Sequence, residues 1–107
     1  MGDPPAPLPA LGVGLLTDAQ LGALVDDLLG VAELLDVIEK TAPGAHAEPR
    51  GVDLRAAVAR LRRAEVRAVQ VHYRWQGEEW RDTLLSSPDG VRLVRARMAE
   101  MGPRAAP

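Results

Sequence analysis

Four arginines in the last third of the chain, Arg74, Arg81, Arg95 and Arg97, have the residue type and spacing to do chemistry. Guanidinium groups are planar forks of donors that match phosphate and carboxylate oxygens. Several on one surface would make a contact for a polyanion or an acidic protein. Asp82 is the second candidate, a carboxylate at a position that otherwise reads as apolar. An unpaired buried carboxylate is costly, and Tyr73 can donate to it. The pair therefore reads as a buried hydrogen bond that fixes strand register, with a catalytic acid as the alternative. Arg67 and Arg92 are further partners within reach of the same face.

His46 and His72 are the only histidines. They share no ligand spacing, so no metal site is expected. His72 beside Thr83 across two strands would be half of a nucleophile–base pair, whereas Ser86 and Ser87 read as turn residues. The chain has no cysteine, which removes disulfides, thiolate nucleophiles and cysteine-based zinc sites. No phosphate-binding or dinucleotide-binding glycine motif and no nucleophile elbow is present. No cofactor is expected.

The arginines and Asp82 lie on elements whose register follows from the turns. Residues 66–98 predict a three-stranded antiparallel meander. Gly77-Glu78 fits a two-residue turn with glycine first, which sets Trp75 against Trp80, Tyr73 against Asp82 and Val71 against Leu84. Ser87-Pro88-Asp89-Gly90 fits a type I turn closed by a left-handed glycine. That sets Leu84 against Val94, Asp82 against Ala96 and Trp80 against Met98. One face then carries Val69, Val71, Tyr73, Trp75, Trp80, Leu84, Val94, Ala96 and Met98. The other carries His72, Arg74, Arg81, Thr83, Leu85, Leu93, Arg95 and Arg97. Sheet-based nucleic-acid binders place aromatics on their cationic face for stacking. Here the aromatics point away, so nucleic acid is not the favoured partner.

Two helices precede the meander. Thr17 and Gln20 form a capping box, with Leu16 and Leu21 at the staple positions. The first helix is expected to run from 17 to about 41, where Pro43 and Gly44 stop it. Leu21, Leu24, Leu28, Val31, Leu35 and Ile38 are spaced 3, 4, 3, 4, 3, an a/d seam. Val25, Leu29, Ala32, Leu34 and Val37 widen it beyond the needs of one small sheet, so the helix is sandwiched or meets another chain. Gly22 and Gly30 weaken this helix and permit close helix–helix approach. Asp53 caps a second helix, 54–64, with an apolar stripe of Leu54, Ala57, Val58 and Leu61.

The expected fold is α+β in the order α-α-β-β-β, the helices packed on one face of the meander. A single domain spans 16–101, between an arm at 1–15 containing Pro4, Pro5, Pro7 and Pro9 and a tail at 102–107. With 107 residues, 47% of them hydrophobic and 26% charged, the chain has the size and composition of one globular domain. Residues 1–53 hold nine acids against two bases and residues 54–97 ten bases against five acids, so the halves either neutralise each other or present a polyanion surface. The start lacks the pattern of a signal peptide, and no apolar run reaches the roughly 20 residues of a membrane span. A cytoplasmic protein is expected. The leading reading is an interaction or assembly module, a homodimer or larger, or a binder of another protein, that joins through the helical seam. Polyanion binding through the arginines is second, and an enzyme using Asp82, Tyr73 or His72 third.

Overall fold

The structure is a computed structural model that describes residues 12–41 and 50–98. The chain runs β1 (Gly12–Leu16), α1 (Asp18–Val31), β2 (Glu33–Lys40), α2 (Leu54–Arg62), β3 (Ala68–Trp75), β4 (Glu78–Ser87) and β5 (Gly90–Arg97). The five strands form one antiparallel sheet in the order β1-β5-β4-β3-β2. β1 and β2 therefore occupy opposite edges and run in the same direction, with α1 connecting them. Both helices feed one hydrophobic core with Val37, Val69, Val71, Tyr73, Leu84, Val91 and Leu93, all of which share one face of the sheet by register. The fold is thus two layers, and the second face carries no described helix.

Local sequence explains the helix ends. Thr17 Oγ1 accepts from the Gln20 N–H at 3.1 Å, and Gln20 Oε1 accepts from the Thr17 N–H at 2.8 Å, which satisfies two orphan donors. In α2, Asp53 Oδ2 accepts from the Ala56 N–H at 2.9 Å. The C-terminal end of α2 closes with hydrogen bonds from Ala64 N–H to the Leu61 carbonyl and from Glu65 N–H to the Arg60 carbonyl. This is a Schellman motif, with Ala64 at φ 61° in the left-handed position usually held by glycine. The helices lie antiparallel: Asp18 bridges Arg62 at 3.1 Å and Asp26 bridges Arg55 at 2.8 Å.

The α-α-β-β-β meander is corrected to β-α-β-α-β-β-β. The first helix ends at Val31, and Ala32 is extended (φ −103°, ψ 158°). Glu33–Lys40 forms β2 instead. A bulge between Leu34 and Asp36 lets Leu34 pair with Tyr73 and Val37 with Val71 on the same face. Strict alternation would put residues three apart on opposite faces; the bulge gives the strand the i, i+3 spacing of a helix. The six seam residues consequently part company. Leu21, Leu24 and Leu28 are buried in α1, Val31 and Leu35 are exposed at 52% and 40%, and Ile38 is buried in β2. They form no continuous helical seam. Residues 12–15, placed in the arm by sequence, form β1 together with Leu16. The remainder of that arm, His46, the rest of the 42–49 loop and the tail lie outside the described residues.

Both hairpin registers also shift. The first turn is Gln76-Gly77, with Trp75 opposite Glu78 and φ of 53° and 81° at the two turn residues, the signature of a type I′ hairpin. Tyr73 faces Trp80 and Val71 faces Asp82, a two-residue slip that leaves every residue on its expected face. The second turn is Pro88-Asp89, with Ser87 opposite Gly90. This one-residue slip inverts β5. Gly22 and Gly30 do not serve close packing, because a Cβ on either meets nothing within 4 Å. Gly22→Ala should therefore raise the unfolding free energy by about 1 kcal/mol, and Ala64→Gly by a similar amount through relief of the left-handed alanine. Each would show in thermal melts as a midpoint several degrees higher; a fall for Gly22→Ala would mean that the helices need the missing side chain.

Candidate functional site

The inversion of β5 brings Arg95 directly opposite Asp82, on the helix-covered face. Arg95 Nε donates to Asp82 Oδ1 at 2.8 Å and Nη2 donates to Oδ2 at 2.6 Å, while Tyr73 Oη donates to Oδ1 at 3.0 Å. Asp82 and Tyr73 are 0% exposed and Arg95 4%. Burial, and then the Asp82 carboxylate beside it, raises the Tyr73 hydroxyl well above its ordinary value. Burial alone would lower the Arg95 guanidinium, but the hydrogen bonds and charge of Asp82 outweigh it and raise it. Tyr73 is therefore a neutral donor and Arg95 a cation. The bidentate fork saturates the carboxylate, and the group exposes no reactive atom to solvent.

The four arginines do not share a surface. Arg95 and Arg97 lie on the helix-covered face and Arg74 and Arg81 on the other. Arg97 stacks its guanidinium 5.7 Å from the centre of the Trp80 ring and bridges Glu78 at 2.9 Å. Trp80 meets Trp75 edge to face at 6.5 Å. Arg74 sits between Glu33 at 3.1 Å and Glu79 at 3.2 Å. The acidic and basic halves of the sequence meet inside one chain: Asp18–Arg62, Asp26–Arg55, Glu33–Arg74 and Glu39–Arg60 each join a residue from before 54 to one after it. Glu39 is buried in β2 and held by Arg60.

The uncovered face divides into two zones. Its β2/β3 side carries polar Asp36, Gln70, His72 and Arg74 around two buried apolar residues, Ile38 and Ala68. His72 faces Asp36 on one side and Arg81 on the other, and Arg81 Nε donates to His72 Nε2 at 3.4 Å. Burial first, then the positive charge of Arg81, lowers the His72 imidazole below its usual 6.5. Burial would raise Asp36, but the Gly51 N–H and Arg50 outweigh it and hold the carboxyl low. Thr83 faces Gln70, not His72, so the expected nucleophile–base pair is not assembled. The β1/β5/β4 side mixes apolar residues with Arg92, which stands between Leu15 and Leu85, and with Arg81 and Thr83 beside Ala96 and Val94. Leu15 is 45% exposed, and Leu85, Val94 and Ala96 are part-exposed beside it. Sequence reading missed this strip because it assigned Val94 and Ala96 to the core. The alternating apolar positions of β5 on both parities were the available signal.

No group of three or more His, Asp or Glu side chains that could hold a metal occurs among the described residues. No described helix is long and apolar enough to cross a membrane. Comparison with family models, curated proteins and solved structures finds no match.

Removing one partner of a buried ion pair strands the other charge. Asp82→Ala should thus lose about 3–5 kcal/mol in urea unfolding, whereas the double variant Asp82→Leu/Arg95→Met should recover most of it. Equal losses in single and double variants would show that Arg95 does not depend on Asp82. Because folding depresses His72, the unfolded chain takes up its proton first. The stability that neutral His72 contributes is complete above the usual 6.5 and is lost as pH falls through and below it. The decline in stability from about pH 7 to about pH 5 should accordingly be shallower in His72→Gln than in the wild type; identical slopes would remove His72 from that decline.

Proposed function

We propose that this chain is a small protein-interaction module that assembles with itself on the uncovered side of its sheet. The supporting observation is the apolar strip of Leu15, Leu85, Val94 and Ala96 on β1, β4 and β5, interrupted by Arg92 between Leu15 and Leu85, against which no described element packs. A sheet face is ordinarily solvated by polar residues when nothing covers it. Apolar side chains clustered on three adjacent strands instead suit a face that meets another surface. Binding is favoured over catalysis because the one buried carboxylate is saturated and His72 has no hydroxyl beside it. It is favoured over polyanion binding because the arginines are split between faces and Arg74 is already held by two glutamates.

A rival set of exposed apolar residues lies at the end of α1 and the start of β2, where Leu29, Val31 and Leu35 are exposed at 43%, 52% and 40%. The strip is preferred because it adjoins the edge strand β1, whose outward backbone groups have no described partner. Light scattering of the purified protein should give a dimer or larger species whose mass persists in high salt, as apolar contact requires. Leu15→Lys should raise its dissociation constant at least tenfold, and Val31→Lys should leave it unchanged. A monomer at every concentration would overturn self-assembly, and dissociation by Val31→Lys alone would move the contact to that rival set.

A further inference from the structure

The two edges of the sheet are built differently. β2 is protected: it carries the bulge at Leu34–Asp36, the charges of Glu33, Asp36 and Lys40, and an added bridge in which Ile38 pairs with Arg50 and the Val52 N–H reaches the Val37 carbonyl at 3.4 Å. Bulges, charges and covering segments are the usual devices that stop an edge from recruiting another strand. Among the described residues, β1 has none of them. Its sequence, Gly-Val-Gly-Leu-Leu, has no charge and no proline, its pairing with β5 runs without a bulge from Gly12 to Leu16, and one side of its backbone faces no described strand.

We propose that β1 pairs antiparallel with β1 of a second copy, joining two five-stranded sheets into one of ten strands. This rests on the self-assembly reading and specifies its contact. The occupant is a second copy for three reasons. An uncharged strand meets its own image without repulsion, and antiparallel pairing of identical strands closes under a two-fold axis, so the assembly stops at a dimer. That axis stands perpendicular to the sheet. It keeps the helices of both copies on one side and brings their apolar strips together across the junction on the other. Finally, a register centred on Gly14 sets Leu16 of each copy opposite Gly12 of the other, a large residue against a small one. At Gly14, on the helix-covered face, a Cβ would meet nothing within 4 Å. The helix layer leaves room above the edge.

The native chain has no cysteine, so single cysteines placed in turn at positions 12 to 16, and one at Leu85 as a control, report contact without background. Directly opposed residues in an antiparallel pair lie about 4.5–5.5 Å apart between Cα atoms, within disulfide range. Mild oxidation should trap a covalent dimer at one or two positions centred on Gly14, at least tenfold faster than for Leu85→Cys. Circular dichroism of each variant checks that it is folded, and Leu15→Lys, a change at an exposed position, supplies an independent loss of the dimer. A dimer by light scattering that cross-links at Leu85→Cys, or at no position in β1, would overturn strand pairing and leave self-assembly standing. A monomer would overturn both.

Discussion

The buried pair of Asp82 and Arg95 fixes where every residue of β5 points. Neither charge can be left alone in a core, because an uncompensated buried charge costs several kcal/mol. With Asp82 facing the helices, the only β5 registers compatible with the core are those that set a cation opposite it. The pair need not add net stability over an apolar pair to do this. It penalises the alternatives, and the Tyr73 hydroxyl adds a third donor from β3, so one carboxylate locks three strands. Once Arg95 is inside, Val91 and Leu93 follow it into the core. Val94 and Ala96 are then turned to the uncovered side, and the arginines that looked like one cluster are divided between two faces.

Some of this was legible in the sequence. The capping box at Thr17, the Asp53 cap and the three strands of the meander rest on local chemistry that tertiary structure had no reason to override. The first hairpin register was wrong by two residues, a slip that side-chain alternation cannot detect because it preserves faces. The second was wrong by one, and alternation in β5 could not choose between registers: Val-Arg-Leu-Val-Arg-Ala-Arg is apolar at both parities, which signalled only that both faces carry apolar residues. β2 was hidden for a different reason. Its bulge turns strand alternation into helix-like spacing, and it follows a true helix after a single residue, Ala32. β1 was missed because five residues with two glycines carry almost no strand propensity; its partner β5 lies some 80 residues away. At the site, Asp82 and Tyr73 stood out as a polar pair among apolar positions. Arg95 as the partner did not, since the assumed three-residue turn pointed it outward.

The charge asymmetry of the two halves is resolved inside the monomer. Acids on α1 and β2 meet arginines on α2 and β3, mostly at exposed positions where each bridge is worth at most about 1 kcal/mol. Their main consequence is therefore specificity: the pairs between α1 and α2 favour the antiparallel arrangement, Glu33–Arg74 favours β2 beside β3, and Glu39–Arg60 ties β2 to α2. A chain whose opposite charges are matched internally leaves less long-range field with which to attract a partner. On the proposed self-assembly, recognition falls to short-range features, backbone groups at an edge with no described partner and apolar side chains beside it. Both occur together at β1 and its neighbours, where the helix layer ends and where the Asp82–Arg95 register has placed Val94 and Ala96.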